Sequence, residues 1–237
     1  MTTFWQNIHH LDQQISLAIN SWHTSFTDPI WTFLSKIPVW IPMYVAIVAL
    51  LIWRLGWKKG LIMTLAAVAT FGFCDQFSNF IKDLVGRVRP AFDDYMLSNG
   101  LHILEHGGKS FSFFSAHAAN AFGLATSTVI GLRLDERLFP SDAKSDSWGR
   151  CYIVWMYTWA SLVAISRIFV ARHYLGDVIV GAIIGLLAGF TFASKNMPRG
   201  VAGFPLSPLQ RSHNERIRLY TITFLPPGIF FHLTIIL

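Results

Sequence analysis

Five stretches of this chain carry at most one charged residue each: residues 37–55, 60–81, 118–132, 152–170 and 175–194. A helix that crosses a bilayer needs about 20 mostly apolar residues, and these stretches are near that length. Backbone facing lipid must satisfy its own hydrogen bonds, so each stretch is expected to be a helix unless the chain closes into a barrel. The ten-residue alternating pattern of a membrane barrel is absent. Residues 3–35 are patterned differently. Leu11, Ile15, Ala18, Ile19, Trp22 and Phe26 recur at helical spacing among Asp12, Gln13, Gln14, Asn20 and His23. That predicts one or two helices lying at the membrane interface, with an ordinary first spanning helix as the alternative. The tail is polar and basic over 195–218 and apolar again over 220–237, where Pro226-Pro227 breaks any helix. A short sixth span and a surface-bound segment both fit it. The expected fold is thus all-α, a polytopic membrane helix bundle of five or six transmembrane helices plus an N-terminal interfacial helix. The expected division is 1–36 interfacial helices, 37–194 transmembrane core and 195–237 basic and apolar tail.

Composition strengthens this picture. The 237 residues suit one domain. They are 53% hydrophobic and 14% charged, against about 25% charged in soluble domains, and the mean hydropathy is +0.44. An integral membrane protein follows. The first 14 residues lack a basic segment leading into an apolar core, so insertion is expected from the later spans and not from a secretory signal. The 19 Lys and Arg outnumber the 13 Asp and Glu, which suits anionic headgroups or anionic substrates. No groove-reading motif supports a nucleic-acid partner. Cys74 and Cys151 are unclustered and form neither a disulfide framework nor a metal site.

With five spans, the loops after the second and the fourth face the same side. Those loops and their helix ends hold three polar strings: Lys82-x6-Arg89-Pro90, Ser115-Ala116-His117, and Ser166-Arg167-x5-His173-x3-Asp177. The other side carries Arg54, Lys58, Lys59, Arg133, Arg137, Lys144, Arg150 and the basic tail. Discounting the strings themselves, the positive-inside rule turns the motif side away from the cytoplasm. In a bacterium it would face the periplasm from the inner membrane. Gly181, Gly185 and Gly189 recur every four residues and predict close helix packing.

Charges near hydrocarbon demand partners or a function. Lys82, Arg89 and Arg167 could grip a phosphate, arginine through paired hydrogen bonds and lysine as a point charge. They could equally snorkel to headgroups. Ser115-Ala116-His117 opens a helix, where unpaired N–H groups and the dipole favour an anion. His117 there could protonate a leaving alkoxide; read alone, Ser115 is an N-cap and His117 an interfacial polar residue. His173 and Asp177 are four apart and share a helix face. The carboxylate could orient the imidazole as a nucleophile, or the pair could be structural, or half a metal site. Further ligands are not evident and the neighbours are cations.

Together the strings resemble the signature of the type 2 phosphatidic acid phosphatase superfamily: Lys-x6-Arg-Pro, Pro-Ser-Gly-His and Ser-Arg-x5-His-x3-Asp, in that order. The first and third match fully. The second reads Phe114-Ser115-Ala116-His117, without the proline and glycine. The resemblance covers Lys82 to Asp177 and implies a metal-independent, cofactor-free phosphatase of a phosphorylated lipid. It implies that His173 attacks phosphorus to form a phosphohistidine, that Asp177 orients it, and that His117 protonates the leaving oxygen and then activates water. Lys82, Arg89, Ser115, Ala116 and Arg167 would hold the phosphate. Ala116 resists positive φ, so altered loop geometry is expected there. The motifs read the phosphate and not the lipid: phosphatidate, phosphatidylglycerophosphate, an isoprenyl pyrophosphate and a lipid A phosphate all fit. A lipid phosphotransferase and a non-catalytic lipid-binding or transport protein with a relict site are the alternatives; the membrane spans disfavour a soluble haloperoxidase with a similar anion pocket. Sequence leaves the oligomeric state open. His9-His10, His102, His106, Asp93 and Asp94 read as interfacial or solvated polar residues, and Arg87 and Arg172 fall on no motif position.

Overall fold

The computed structural model describes residues 2–105, 111–132, 147–196, 219–223 and 232–236, the last two segments by their backbone. Among the described residues eight α-helices form in chain order: α1 Thr2–Asn20, α2 Asp28–Ser35, α3 Ile41–Leu55, α4 Trp57–Val85, α5 Asp94–Ser98, α6 Ala116–Gly131, α7 Ser147–Phe169 and α8 Leu175–Asn196. The five apolar stretches correspond to α3, α4, α6, α7 and α8. Leu219–Thr223 and His232–Ile236 pair as an antiparallel hairpin, β1 and β2, with Leu219 opposite Ile236. Among the described residues the apolar tail therefore contributes no sixth helix.

The centre of the bundle is α6. Its 16 residues would span about 24 Å, short of the roughly 30 Å hydrocarbon layer. It needs no lipid contact, however, because 12 of the 16 are buried. Small residues make this possible: Ala118, Ala119, Ala121, Gly123 and Ala125 let α4, α7 and α8 close around it. The glycine stripe of α8 meets α6 backbone to backbone. A Cβ at Gly181 would stand 2.4 Å from the Ser115 carbonyl oxygen, and one at Gly185 would stand 2.2 Å from that of Ala119. Met63, Ala66, Leu124, Ala125, Val129, Met156, Ala160 and Val163 fill the core between α4, α6 and α7. Large apolar side chains point outward around the bundle, Val45, Val68, Val154, Ile183 and Phe190 among them. On a soluble domain such a belt would be an anomaly; on a membrane protein it is the lipid-facing surface.

Helix α1 is amphipathic with its polar face inward. Gln13, Ser16 and Asn20 are buried, while Phe4, Trp5, Ile8, Leu11 and Ile15 are exposed. The buried polar groups complete other helices. Ser16 Oγ accepts from the Leu175 N–H at 2.9 Å and Asp12 Oδ1 from that of Gly176 at 2.8 Å, so α1 supplies acceptors to the first turn of α8. Asn20 donates to the carbonyls of Ile168 and Phe169 at the end of α7, and to that of His102. The 1–36 segment is thereby packed onto the transmembrane core through polar contacts.

Candidate active site

Each polar string sits where a helix ends. Helix α4 stops because Gly86 takes a left-handed φ of 64° and donates to the Lys82 carbonyl, which leaves Lys82 in the last turn. Arg89 follows in extended backbone. Helix α6 starts at its N-cap Ser115, whose hydroxyl accepts from the Ala118 N–H at 3.4 Å. Ala116 is therefore the first residue of a regular helix, an allowed conformation for alanine that needs no positive φ. Backbone strain lies in the α7–α8 turn instead, where Ala171 holds φ at 60°. In that turn the N–H groups of Arg172 and His173 both donate to the Arg167 carbonyl. This tight fold brings Arg167, Arg172 and His173 onto one wall.

The strings converge. A cavity of about 170 Å³ is lined by Lys82, Arg89, Ala116, His117, Arg167 and His173, together with Arg172. Two imidazoles and four cationic side chains thus surround one space, a setting that favours an anion. Ser115 and Asp177 are not in the lining. Both are fully buried behind it, joined by a 3.0 Å hydrogen bond from the Ser115 N–H to the Asp177 carbonyl. Asp177 Oδ2 lies 3.5 Å from His173 Nδ1 and accepts from the Tyr174 N–H at 3.1 Å. The imidazole contact is longer than a strong hydrogen bond; it places the carboxylate on the Nδ1 side of the ring and leaves Nε2 as the other nitrogen. Burial pushes the His173 imidazole down to about 4, against the opposing pull of Asp177.

Sequence reasoning missed the support of this pair. Arg87 Nη1 donates to Asp177 Oδ1 at 2.7 Å, and its Nη2 to Asp12 Oδ2 at 2.7 Å. The guanidinium lies 3.9 Å from the centroid of the Tyr174 ring, and the Tyr174 hydroxyl donates to Asp93 at 2.6 Å. Asp93 is thus a structural acceptor, capping α5 and receiving Gln13 and Tyr174, and not a solvated loop residue. His9 contacts Arg87 Nη2 at 3.0 Å; burial is the main cause that lowers its pKa, with Arg87 next. On the cation wall, Arg167 donates to Ser35 Oγ and pairs with Glu105 at 3.5 Å, and Ser35 also donates to Glu105. No periodic or spacing signal points to these partners. They are separated by 62 to 132 residues along the chain. His106 lies outside the described residues.

Among the described residues, one group offers three potential metal ligands: His23, Asp28 and His102. The two imidazoles are stacked face to face, 3.6 Å apart and 6° from parallel. A single ion cannot lie in both ring planes in that arrangement. His102 Nε2 instead pairs with Asp28 at 2.9 Å and ties the 99–105 loop to α2.

Comparison with known proteins now bears on the site. The PAP2 superfamily model matches residues 57–199, which contain all three strings. The chain belongs to the PAP2 superfamily. It is 33% identical over 184 residues to a lipid A 4'-phosphatase of Bacteroides thetaiotaomicron, covering 77% of this chain and 75% of that protein. A lipid A 4'-phosphatase of Porphyromonas gingivalis is 25% identical over 221 residues, 91% of this chain and 87% of that protein. The structure of a transmembrane PAP2 type phosphatidylglycerolphosphate phosphatase from Bacillus subtilis superposes with a TM-score of 0.62 at 25% identity, covering 82% of this chain and 89% of that one. Aquifex aeolicus LpxE, at 21% identity and a TM-score of 0.53, shares the fold. The protein is an integral membrane phosphatase of the kind that acts on phosphorylated lipids.

Proposed function

We propose that this protein removes a phosphate monoester from a lipid A-type glycolipid at the outer face of the bacterial inner membrane. The observation that carries the reading is the cavity in which His117 and His173 stand among Lys82, Arg89, Arg167 and Arg172. The relatives named lipid A 4'-phosphatase favour a saccharolipid among the possible substrates.

The residues divide the reaction between them. Lys82, Arg89 and Arg167 hold the phosphate oxygens, with the Ala116 N–H at the start of α6 as a further donor. Neutral His173 attacks phosphorus through Nε2. As the P–N bond forms, the P–O bond to the lipid breaks, and His117 gives its proton to the departing oxygen. Asp177 balances the charge that appears on the phosphorylated imidazole. In the second step water attacks phosphorus, His117 takes a proton from it, and the P–N bond breaks to release inorganic phosphate. Positioning and charge stabilisation supply most of the acceleration in such transfers. Ser115 shapes the phosphate loop from behind the wall, as N-cap of α6 and partner of the Asp177 carbonyl. Helix α1, with its apolar face outward, lies in the outer interface.

The test is purified protein in detergent micelles given a panel of phosphorylated lipids: a lipid A-type 4'-phosphate, phosphatidate, phosphatidylglycerophosphate and an isoprenyl pyrophosphate. Phosphate release from the first, abolished by His173→Ala, is the expected result. Full turnover by His173→Ala would end the covalent mechanism.

A further inference from the structure

Beyond His117 the cavity keeps a polar character where a purely hydrocarbon substrate would need none. Asn120 lies three residues further along α6 on the same face, about 4.5 Å deeper along the helix axis. Its Nδ2 donates to Asp75 Oδ1 of α4 at 2.8 Å, and both residues line the cavity. That bond fixes which way the amide points. The other amide atom, Asn120 Oδ1, is buried and has no donor from the protein. Trp159 of α7, also in the lining, is 5% exposed, and its indole Nε1 is buried without an acceptor from the protein. Aromatic rings complete the wall: Trp40 lies 5.6 Å and Tyr44 6.3 Å from Trp159, centroid to centroid, both nearly edge-on.

Asp75 is exposed and Asn120 half-buried, and polar groups within spanning helices are uncommon unless something uses them. A buried acceptor and a buried donor without partners are costly. The direction in which the pair lies is informative. In the reading above His117 stands beside the leaving oxygen, so the groups one turn deeper meet the leaving group and not the phosphate. A diacylglycerol or polyprenol has no hydrogen-bond donor to offer Asn120 Oδ1 once its phosphate is placed. A sugar ring has hydroxyl or amide donors for Asn120, oxygen acceptors for Trp159 Nε1, and C–H faces for the aromatic wall.

We propose that Asn120, held by Asp75, and Trp159 form a subsite for a hydroxyl- or amide-bearing leaving group, and that these residues select a sugar-linked phosphate over a diacylglycerol or polyprenol phosphate. The inference rests on the phosphatase reading for its orientation. The experiment compares kcat/KM for a lipid A-type glucosamine 4'-phosphate with kcat/KM for phosphatidate, in the unaltered protein and in Asn120→Leu and Asp75→Asn. The ratio should favour the glycolipid in the unaltered protein and fall roughly 10- to 100-fold in Asn120→Leu. A ratio that stays within about twofold, or equal losses on both lipids, overturns the subsite while leaving the phosphatase reading intact. A binding arm keeps the two ideas separate. In a His173→Ala background, equilibrium binding of the radiolabelled lipids should favour the glycolipid, and adding Asn120→Leu should erase the preference. Equal binding of both lipids overturns the subsite even if no lipid in the panel is hydrolysed.

Discussion

Asp177 is fully buried and carries two jobs at once: it holds His173 at 3.5 Å and accepts a 2.7 Å hydrogen bond from Arg87. In the proposed mechanism Arg87 is thus a positioning residue, acting on His173 through a carboxylate. Removing one member of a buried ion pair strands the other charge, at a cost of about 3–5 kcal/mol. Arg87→Ala should lower kcat by roughly 100-fold with little change in KM, and Arg87→Lys should recover part of it; steady-state kinetics on one lipid phosphate separates the two parameters. The depressed pKa of His173 gives a second prediction. Only the neutral imidazole has a lone pair with which to attack. Because burial moves His173 from an ordinary value of 6.5 to about 4, it stays neutral across the physiological range. The pH profile of kcat/KM should show its acid limb near pH 4, falling tenfold per unit below it. The same shift costs folding stability as pH falls from about 6.5 toward 4, since the unfolded chain takes up the proton first. The three strings made six lining residues legible in the sequence, because family spacing and helix parity both point to them. Arg87, Asp12, Glu105 and Ser35 were not legible. Their pairings depend on tertiary folding, and no local pattern encodes a contact between residues 75 or 132 positions apart.

At the level of elements, the spans were readable because lipid imposes one rule on them all: an apolar run of sufficient length becomes a helix. The glycine stripe was readable as a packing device, and the structure gives it an address. Gly181 and Gly185 meet the carbonyls of Ser115 and Ala119, so the α8 stripe fixes the height at which the His117 turn sits. Gly185→Ala places a methyl carbon 2.2 Å from a backbone oxygen, which neither helix can absorb without moving apart. Overpacking of that kind costs about 1–3 kcal/mol. Thermal unfolding in detergent should show a lowered midpoint, with phosphatase activity lost in parallel. Two features resisted sequence reading at this scale. The inward-facing polar stripe of α1 was seen only as polarity at an interface, since periodicity locates a face but not what covers it. The left-handed residue is Ala171, in the Arg167–His173 turn, which no spacing signal pointed to; Ala116 opens a helix, where no left-handed residue is required.

Across the whole molecule, the charge balance of the loops predicts an orientation, and a native thiol can report it. Cys151 is exposed near the start of α7, at the opposite end of that helix from Arg167, and Cys74 is buried. A membrane-impermeant maleimide should label Cys151 in inverted inner-membrane vesicles and leave it unlabelled in intact spheroplasts. Labelling in spheroplasts would place the catalytic cavity in the cytoplasm.

The inverted helix α1 joins these scales. One face of it exposes the apolar side chains of Phe4, Trp5 and Leu11, and the other places Asp12 against Arg87, which in turn grips Asp177. In the proposed mechanism, a displacement of α1 would reach His173 through those two ion pairs. The proposed activity is therefore expected to vary with the physical state of the bilayer in which it is measured.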